Sequence, residues 1–173
     1  MDQILTADEV FGIGVEIEKN GRAFYAAAAT DAAGEGIRKL LVDLAAWETK
    51  HIETFTALRK HLPLEALNEN LYDPSEEITQ YLKAAADNHV FVKNSNMEKL
   101  AATCRTSLDI LNIAMNFEKD SVVFYSLVRE AVGAESGRAE IEQLIHEELT
   151  HIGYITRELQ KVKAAGGGAQ ACA

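Results

Sequence analysis

The feature that most constrains this chain is an internal repeat. Laid on itself at an offset of 100 residues, the sequence aligns Glu18-Lys19 with Glu118-Lys119, Phe24-Tyr25 with Phe124-Tyr125, Leu44 with Leu144, Glu48 with Glu148, and His51-Ile52 with His151-Ile152. Such a repeat makes two related halves, each of which folds into the same unit and buries its apolar face against its neighbour. Within each half, apolar residues recur at three- and four-residue spacing, both prolines fall in one stretch, and β-branched alternation is almost absent. The pattern predicts an all-α protein.

Helix start and stop signals divide the chain further. Thr6 followed three residues later by Glu9 is a capping-box pattern, so a first helix is expected to run to about Ala32, ahead of Gly34 and Gly36. A second is expected over about Gly36 to His61. Pro63 to Asn96 then breaks the pattern with both prolines and a turn signal at Asp73-Pro74-Ser75, leaving room for a short helix over about Glu76 to Asn88. A third long helix is expected over about Leu100 to Val132 and a fourth over about Glu135 to Ala164, parted by the Gly133 region. Residues 1–165 read as one domain and 166–173 as a flexible tail. Two related helical hairpins with short internal links, joined by a long crossover that contains a short helix, make a ferritin-like four-helix bundle.

Charge and cysteine usage narrow the function. With 173 residues and 47% apolar content, the chain has enough material for one sizeable core and too little for two comfortable ones. A net charge of -10 without a basic patch repels nucleic-acid phosphates and anionic membrane surfaces, so neither is an expected partner. Met1 to Glu9 carries acids where a secretory signal carries bases, and no apolar run approaches the roughly 20 residues that span a bilayer, which predicts a cytoplasmic protein. Cys104 and Cys172 form no CxxC pair, so no zinc ribbon or iron-sulfur knuckle is expected from them, only reduced thiols.

The repeat carries acids onto faces that are otherwise apolar. Glu18 lies at helical spacing from Gly14, Ile17, Gly21 and Phe24, and Glu118 from Leu111, Met115, Val122 and Tyr125. Glu48 sits with Leu41, Leu44, Ile52 and Phe55, and Glu148 with Ile141, Leu144, Ile145, Ile152 and Ile155. Residues three apart share a helix face, so Glu48 and His51 can reach one ion, as can Glu148 and His151. One Glu-x-x-His motif alone more often marks a solvated face. Two copies in a repeat, with two further acids on apolar stripes, point to Glu18, Glu48, His51, Glu118, Glu148 and His151 as ligands of two metal ions. Four carboxylates in one core would repel one another and lose their hydration, and two divalent cations balance them. A mixed oxygen and nitrogen ligand set without thiolates suits two iron ions, with manganese or zinc as possible substitutes, since affinity generally favours zinc over ferrous iron.

Other polar residues receive plainer roles. Tyr25 and Tyr125 each lie two turns beyond a candidate ligand Glu, where a phenol either hydrogen-bonds a ligand carboxylate from a neighbouring helix or simply packs in the core. His61, His89 and His146 read as surface residues, and Glu16, Glu53, Glu142 and Glu147 as acids of the solvated exterior. Trp47 reads as a packing residue rather than an electron relay, and Cys104 as a small buried side chain.

At Glu18-x6-Tyr25, Glu48-x-x-His51, Glu118-x6-Tyr125 and Glu148-x-x-His151, over Ala7 to about Leu159, the sequence resembles the rubrerythrin-like branch of the ferritin-like superfamily. The resemblance implies a di-iron centre that reduces hydrogen peroxide or dioxygen with electrons from an external donor, in a homodimer or small homo-oligomer. Typical rubrerythrins append a four-cysteine iron site that feeds electrons to the centre, and this sequence contains none. They also carry a further ligand Glu one turn after the third-helix Glu, where Ser121 stands here. In that respect the ligand set resembles bacterioferritin, whose centre oxidises ferrous iron, although the Phe-Tyr pattern is closer to rubrerythrins. Ferroxidase activity for iron storage or detoxification is therefore one alternative. A structural or sensory metal-binding bundle without turnover is another.

Overall fold

The computed structural model describes residues 5–64, 71–81 and 96–166. Helix α1 spans Ala7–Asp31 and α2 spans Glu35–Lys60. Thr6 caps α1 as expected, accepting from the Glu9 amide while Glu9 accepts from the Thr6 amide. Residues 77–81 are helical, Glu76 lies just before them with φ 56°, and residues 82–88 of the expected Glu76–Asn88 helix lie outside the described residues, as do His89, Cys172 and the tail from 167 onward.

The expected third helix is two helices. A short α3, Met97–Thr103, ends at Cys104 with extended backbone, and α4, Ser107–Ala131, starts afresh. The break has a local cause: Thr106 and Asp109 form a second capping box, which satisfies the first amides of α4 and competes with continuation of α3. The fourth long helix also starts later than expected. Residues Ala134–Ser136 form a 3-10 turn, Gly137 takes φ 93°, and α5 runs Arg138–Ala164. Gly137 is required twice over, because that φ favours glycine and because a Cβ there would meet Leu58 Cδ2.

Helices α1 and α2 pack as one antiparallel hairpin and α4 with α5 as the other, while α2 faces α5, α1 faces α4, and α3 leans on α1. Among the described residues there is no strand. Each long helix contributes one apolar stripe to a shared core, with Phe11, Phe24, Leu41, Leu44, Phe55, Leu111, Phe124, Ile141 and Ile155 fully buried. Close approach of α1 to α2 depends on Gly14, since a Cβ there would lie 2.9 Å from Phe55 Cε1. Two described positions between α2 and α3 meet the bundle: the Leu71 amide donates to the Leu5 carbonyl at 2.9 Å, and the Tyr81 ring packs against Phe124 at 6.4 Å. Cys104 is buried, as the sequence predicts. No described helix is long and apolar enough to cross a membrane.

Candidate metal centre

Four helices each carry acid into the middle of this core. Glu18 comes from α1, Glu48 and His51 from α2, Glu118 from α4, and Glu148 and His151 from α5, all between 1% and 4% exposed. Their donor atoms gather into two overlapping quartets, Glu18, Glu48, His51 and Glu148 on one side and Glu48, Glu118, Glu148 and His151 on the other. Within each quartet the candidate ligand atoms lie within 4.8 Å of one another. Glu48 and Glu148 belong to both, so each quartet takes one residue from the opposite hairpin.

The two imidazoles turn their Nδ1 atoms inward. His51 Nδ1 lies 3.0 Å from Glu148 Oε1, 3.1 Å from Glu48 Oε2 and 3.6 Å from Glu18 Oε2. His151 Nδ1 lies 3.0 Å from Glu148 Oε2 and 3.2 Å from Glu118 Oε2. The rings themselves stack at 5.5 Å. No Lys or Arg pairs with these carboxylates among the described residues, so only the histidines offset their charge.

This electrostatic burden shows in the proton affinities. Burial, reinforced by Glu48, raises Glu18 well above the usual carboxylate range. Burial and then Glu148 push Glu118 up to about 8. Burial disfavours charge on His151, but Glu118 and Glu148 outweigh it and push the ring up to about 10. His51 is likewise desolvated yet held far above its ordinary value by Glu148, Glu18 and Glu48. Without an ion, the centre keeps protons that separate side chains in water would release at neutral pH.

Among the described residues Glu18 Oε1, Glu48 Oε2, His51 Nδ1 and Glu148 Oε1 make no well-directed hydrogen bond, although His51 Nδ1 lies 3.0 Å from Glu148 Oε1 and 3.1 Å from Glu48 Oε2. Orphaned polar atoms at such depth are costly, each by about 1–3 kcal/mol. All four face the same cluster, and their chemistry, oxygen with imidazole nitrogen and no thiolate, fits a divalent metal of the iron, manganese or zinc kind.

The surroundings separate the two tyrosines and correct one expectation. Tyr25 donates to Glu118 Oε1 at 2.5 Å across the bundle, whereas the fully buried Tyr125 hydroxyl has no hydrogen-bond partner among the described residues and its ring packs in the core against Phe55 at 5.1 Å, so each tyrosine takes one of the two roles weighed for it. Glu147 is not confined to the solvated exterior. Its side chain is 41% exposed, yet its Oε2 accepts from His51 Nε2 at 3.0 Å, while Gln143 donates to its Oε1 at 2.8 Å. Because an ionised carboxylate only accepts, this bond places a proton on Nε2 and leaves Nδ1 for the centre. Trp47 packs, as expected, but on the site itself: its indole stacks on His151 at 4.7 Å and 9° and on Tyr154 at 5.5 Å. Glu16, Glu53, His61 and His146 are exposed, and Glu142, half-buried, pairs with Arg129. Ser121, one turn after Glu118, is buried, and its counterpart one turn after Glu18 is Gly21, where a Cβ would touch the Glu48 carboxylate at 3.6 Å.

A ferritin-like all-α bundle with carboxylates and imidazoles converging at its core defines a class of metal-binding proteins. The family follows from the sequence: the rubrerythrin family model matches residues 9–159, and the chain belongs to that family. No curated protein and no solved structure is similar enough to the chain to be matched with it. Family and cluster together point to a bound metal.

Proposed function

We propose that Glu18, Glu48, His51, Glu118, Glu148 and His151 hold two iron ions and that the protein is a non-haem di-iron oxidoreductase reducing hydrogen peroxide or dioxygen. The observation that carries this reading is the set of buried carboxylate and imidazole atoms that face one another without well-directed hydrogen bonds and, among the described residues, with no Lys or Arg to neutralise them. When bound, a ferrous pair supplies two electrons to such an oxidant. The protein's own part is positional. Glu48 and Glu148, common to both quartets, would be the residues shared between the two ions, and the Tyr25 hydroxyl fixes the Glu118 carboxylate against rotation. Phe24 and Phe117 pack against Tyr25, the tyrosine that holds Glu118, and the six ligand side chains, buried to 4% exposure or less, lie out of bulk water. Electrons come from an external donor, and the working form is a homodimer or small homo-oligomer.

Metal analysis of anaerobically purified protein, followed by rapid mixing of the ferrous form with peroxide, tests the reading. About two irons per chain and oxidation much faster than that of free ferrous iron are expected; two irons with no such acceleration sink the peroxidase role. Ser121 favours one second reading, ferroxidase activity, because it leaves the centre without a further carboxylate one turn after Glu118. Under that reading dioxygen outpaces peroxide and the protein elutes as a large cage containing a ferric mineral.

A further inference from the structure

Residues 47 and 147 occupy the same place in the two halves of the repeat, immediately before the Glu of each Glu-x-x-His motif, and they are the chemically unlike pair Trp and Glu. Each reaches across to the histidine of the opposite hairpin. Glu147 accepts from His51 Nε2 at 3.0 Å, and Trp47 lies flat on His151 at 4.7 Å. One imidazole is thus braced end-on by an anion, itself held by Gln143, and the other face-on by an aromatic ring.

From this, resting on the metal-binding reading above, we propose that the two metal positions are inequivalent and fill in order, the His51 quartet first and the His151 quartet second. A carboxylate on the outer nitrogen fixes the tautomer and raises the basicity of the ligating nitrogen, an effect worth about 10–100-fold in metal affinity. Stacking orients a ring without adding electron density to Nδ1. A second observation favours the same order. The atoms without a well-directed hydrogen bond among the described residues are Glu18 Oε1 and His51 Nδ1, both of the His51 quartet alone, together with Glu48 Oε2 and Glu148 Oε1, which belong to residues shared by both quartets but lie 3.1 Å and 3.0 Å from His51 Nδ1. On the other side, His151 Nδ1 already hydrogen-bonds Glu118 and Glu148, and Tyr25 satisfies Glu118 Oε1. An ion entering the His51 quartet therefore replaces poorly directed contacts and gives Glu18 Oε1 a partner, whereas one entering the His151 quartet first displaces formed hydrogen bonds.

Trp47 is the chain's only tryptophan, so its fluorescence reports on the second position. The test is a titration of the full-length metal-free protein with zinc, in competition with a chromophoric chelator, read by stoichiometry and by tryptophan emission together. Two resolved steps are expected, with most of the emission change in the second. Glu147→Gln should weaken the tighter step by about 10-fold or more and leave the weaker one in place, while Trp47→Phe, read by the chelator alone because it carries no tryptophan, should leave the tighter step unchanged. Two equal steps in the wild type, emission that moves with the first ion, or equal weakening of the tight step in both variants would overturn the ordered filling while leaving metal binding intact. Failure of the wild type to take up zinc would overturn the ligand assignment itself, and the ordering with it.

Discussion

Two tyrosines that the repeat makes equivalent behave differently in the folded chain, and that difference is measurable. Tyr25→Phe strands the Glu118 oxygen that its hydroxyl serves, and it should cost the metal-free protein about 1–3 kcal/mol in a denaturant titration. Tyr125→Phe removes a hydroxyl with no partner and should be neutral or mildly stabilising. Equal losses in the two variants would contradict the asymmetry. The retained protons make a second prediction. Glu118 titrates near 8 instead of 4.5, and His151 near 10 instead of 6.5, so the folded metal-free chain holds more protons than the unfolded chain across this range. Stability then falls with rising pH. The Glu118 penalty grows from pH 4.5 to about 8, and the His151 contribution, complete below 6.5, is lost by about 10. Metal uptake expels those protons, so affinity runs the other way and strengthens as pH rises toward 8. Thermal melts of the chelated protein and metal titrations at several pH values check both signs; a metal affinity independent of pH would rule out a protonated resting centre. The six acids and imidazoles at the centre were legible as residues on apolar stripes, because burial of an acid shows in the periodicity of its own helix. Glu147 was not, because it sits at the margin of its stripe and its role depends on the distance to another helix.

At the scale of elements, the sequence announced four long helices but hid one break. The apolar positions Met97, Leu100 and Ala101 of the seven-residue α3 run almost in register into α4, so periodicity alone joins them. The missed signal was the repeat itself: Thr106-x-x-Asp109 lies at the same offset from Thr6-x-x-Glu9 as the paired acids and histidines do. The hairpins therefore begin as well as end alike, and both caps should matter. Thr6→Ala and Thr106→Ala are each expected to cost about 1 kcal/mol, measured by chemical denaturation, and a silent Thr106→Ala would mean that α3 and α4 exchange readily with one continuous helix. Gly137→Ala should cost more, about 1–3 kcal/mol from backbone conformation alone, with added displacement of Leu58. The late start of α5 was less legible, since Gly133 and Gly137 are equally plausible stops and only the second takes a positive φ.

For the whole molecule, the centre ties together helices whose contacts across the bundle are otherwise side chains of one apolar core. Bound metal adds its binding free energy to the folded state, about 2.7 kcal/mol per ion at a free concentration 100 times Kd. Chelation should accordingly lower Tm by several degrees, and addition of iron or zinc should restore it; a Tm insensitive to both would mean that the cluster binds no ion in the folded state. Because Glu48 and Glu148 are each common to both quartets, neither hairpin holds a complete site alone. A single hairpin pairing with a copy of itself could in principle build the same centre, but any change at the position before its Glu-x-x-His motif would then appear on both sides at once. Joined in one polypeptide, the halves escape that bookkeeping of symmetry: position 47 can become Trp while position 147 becomes Glu, and a duplicated gene can specialise one side of a shared site while its twin stays as it was.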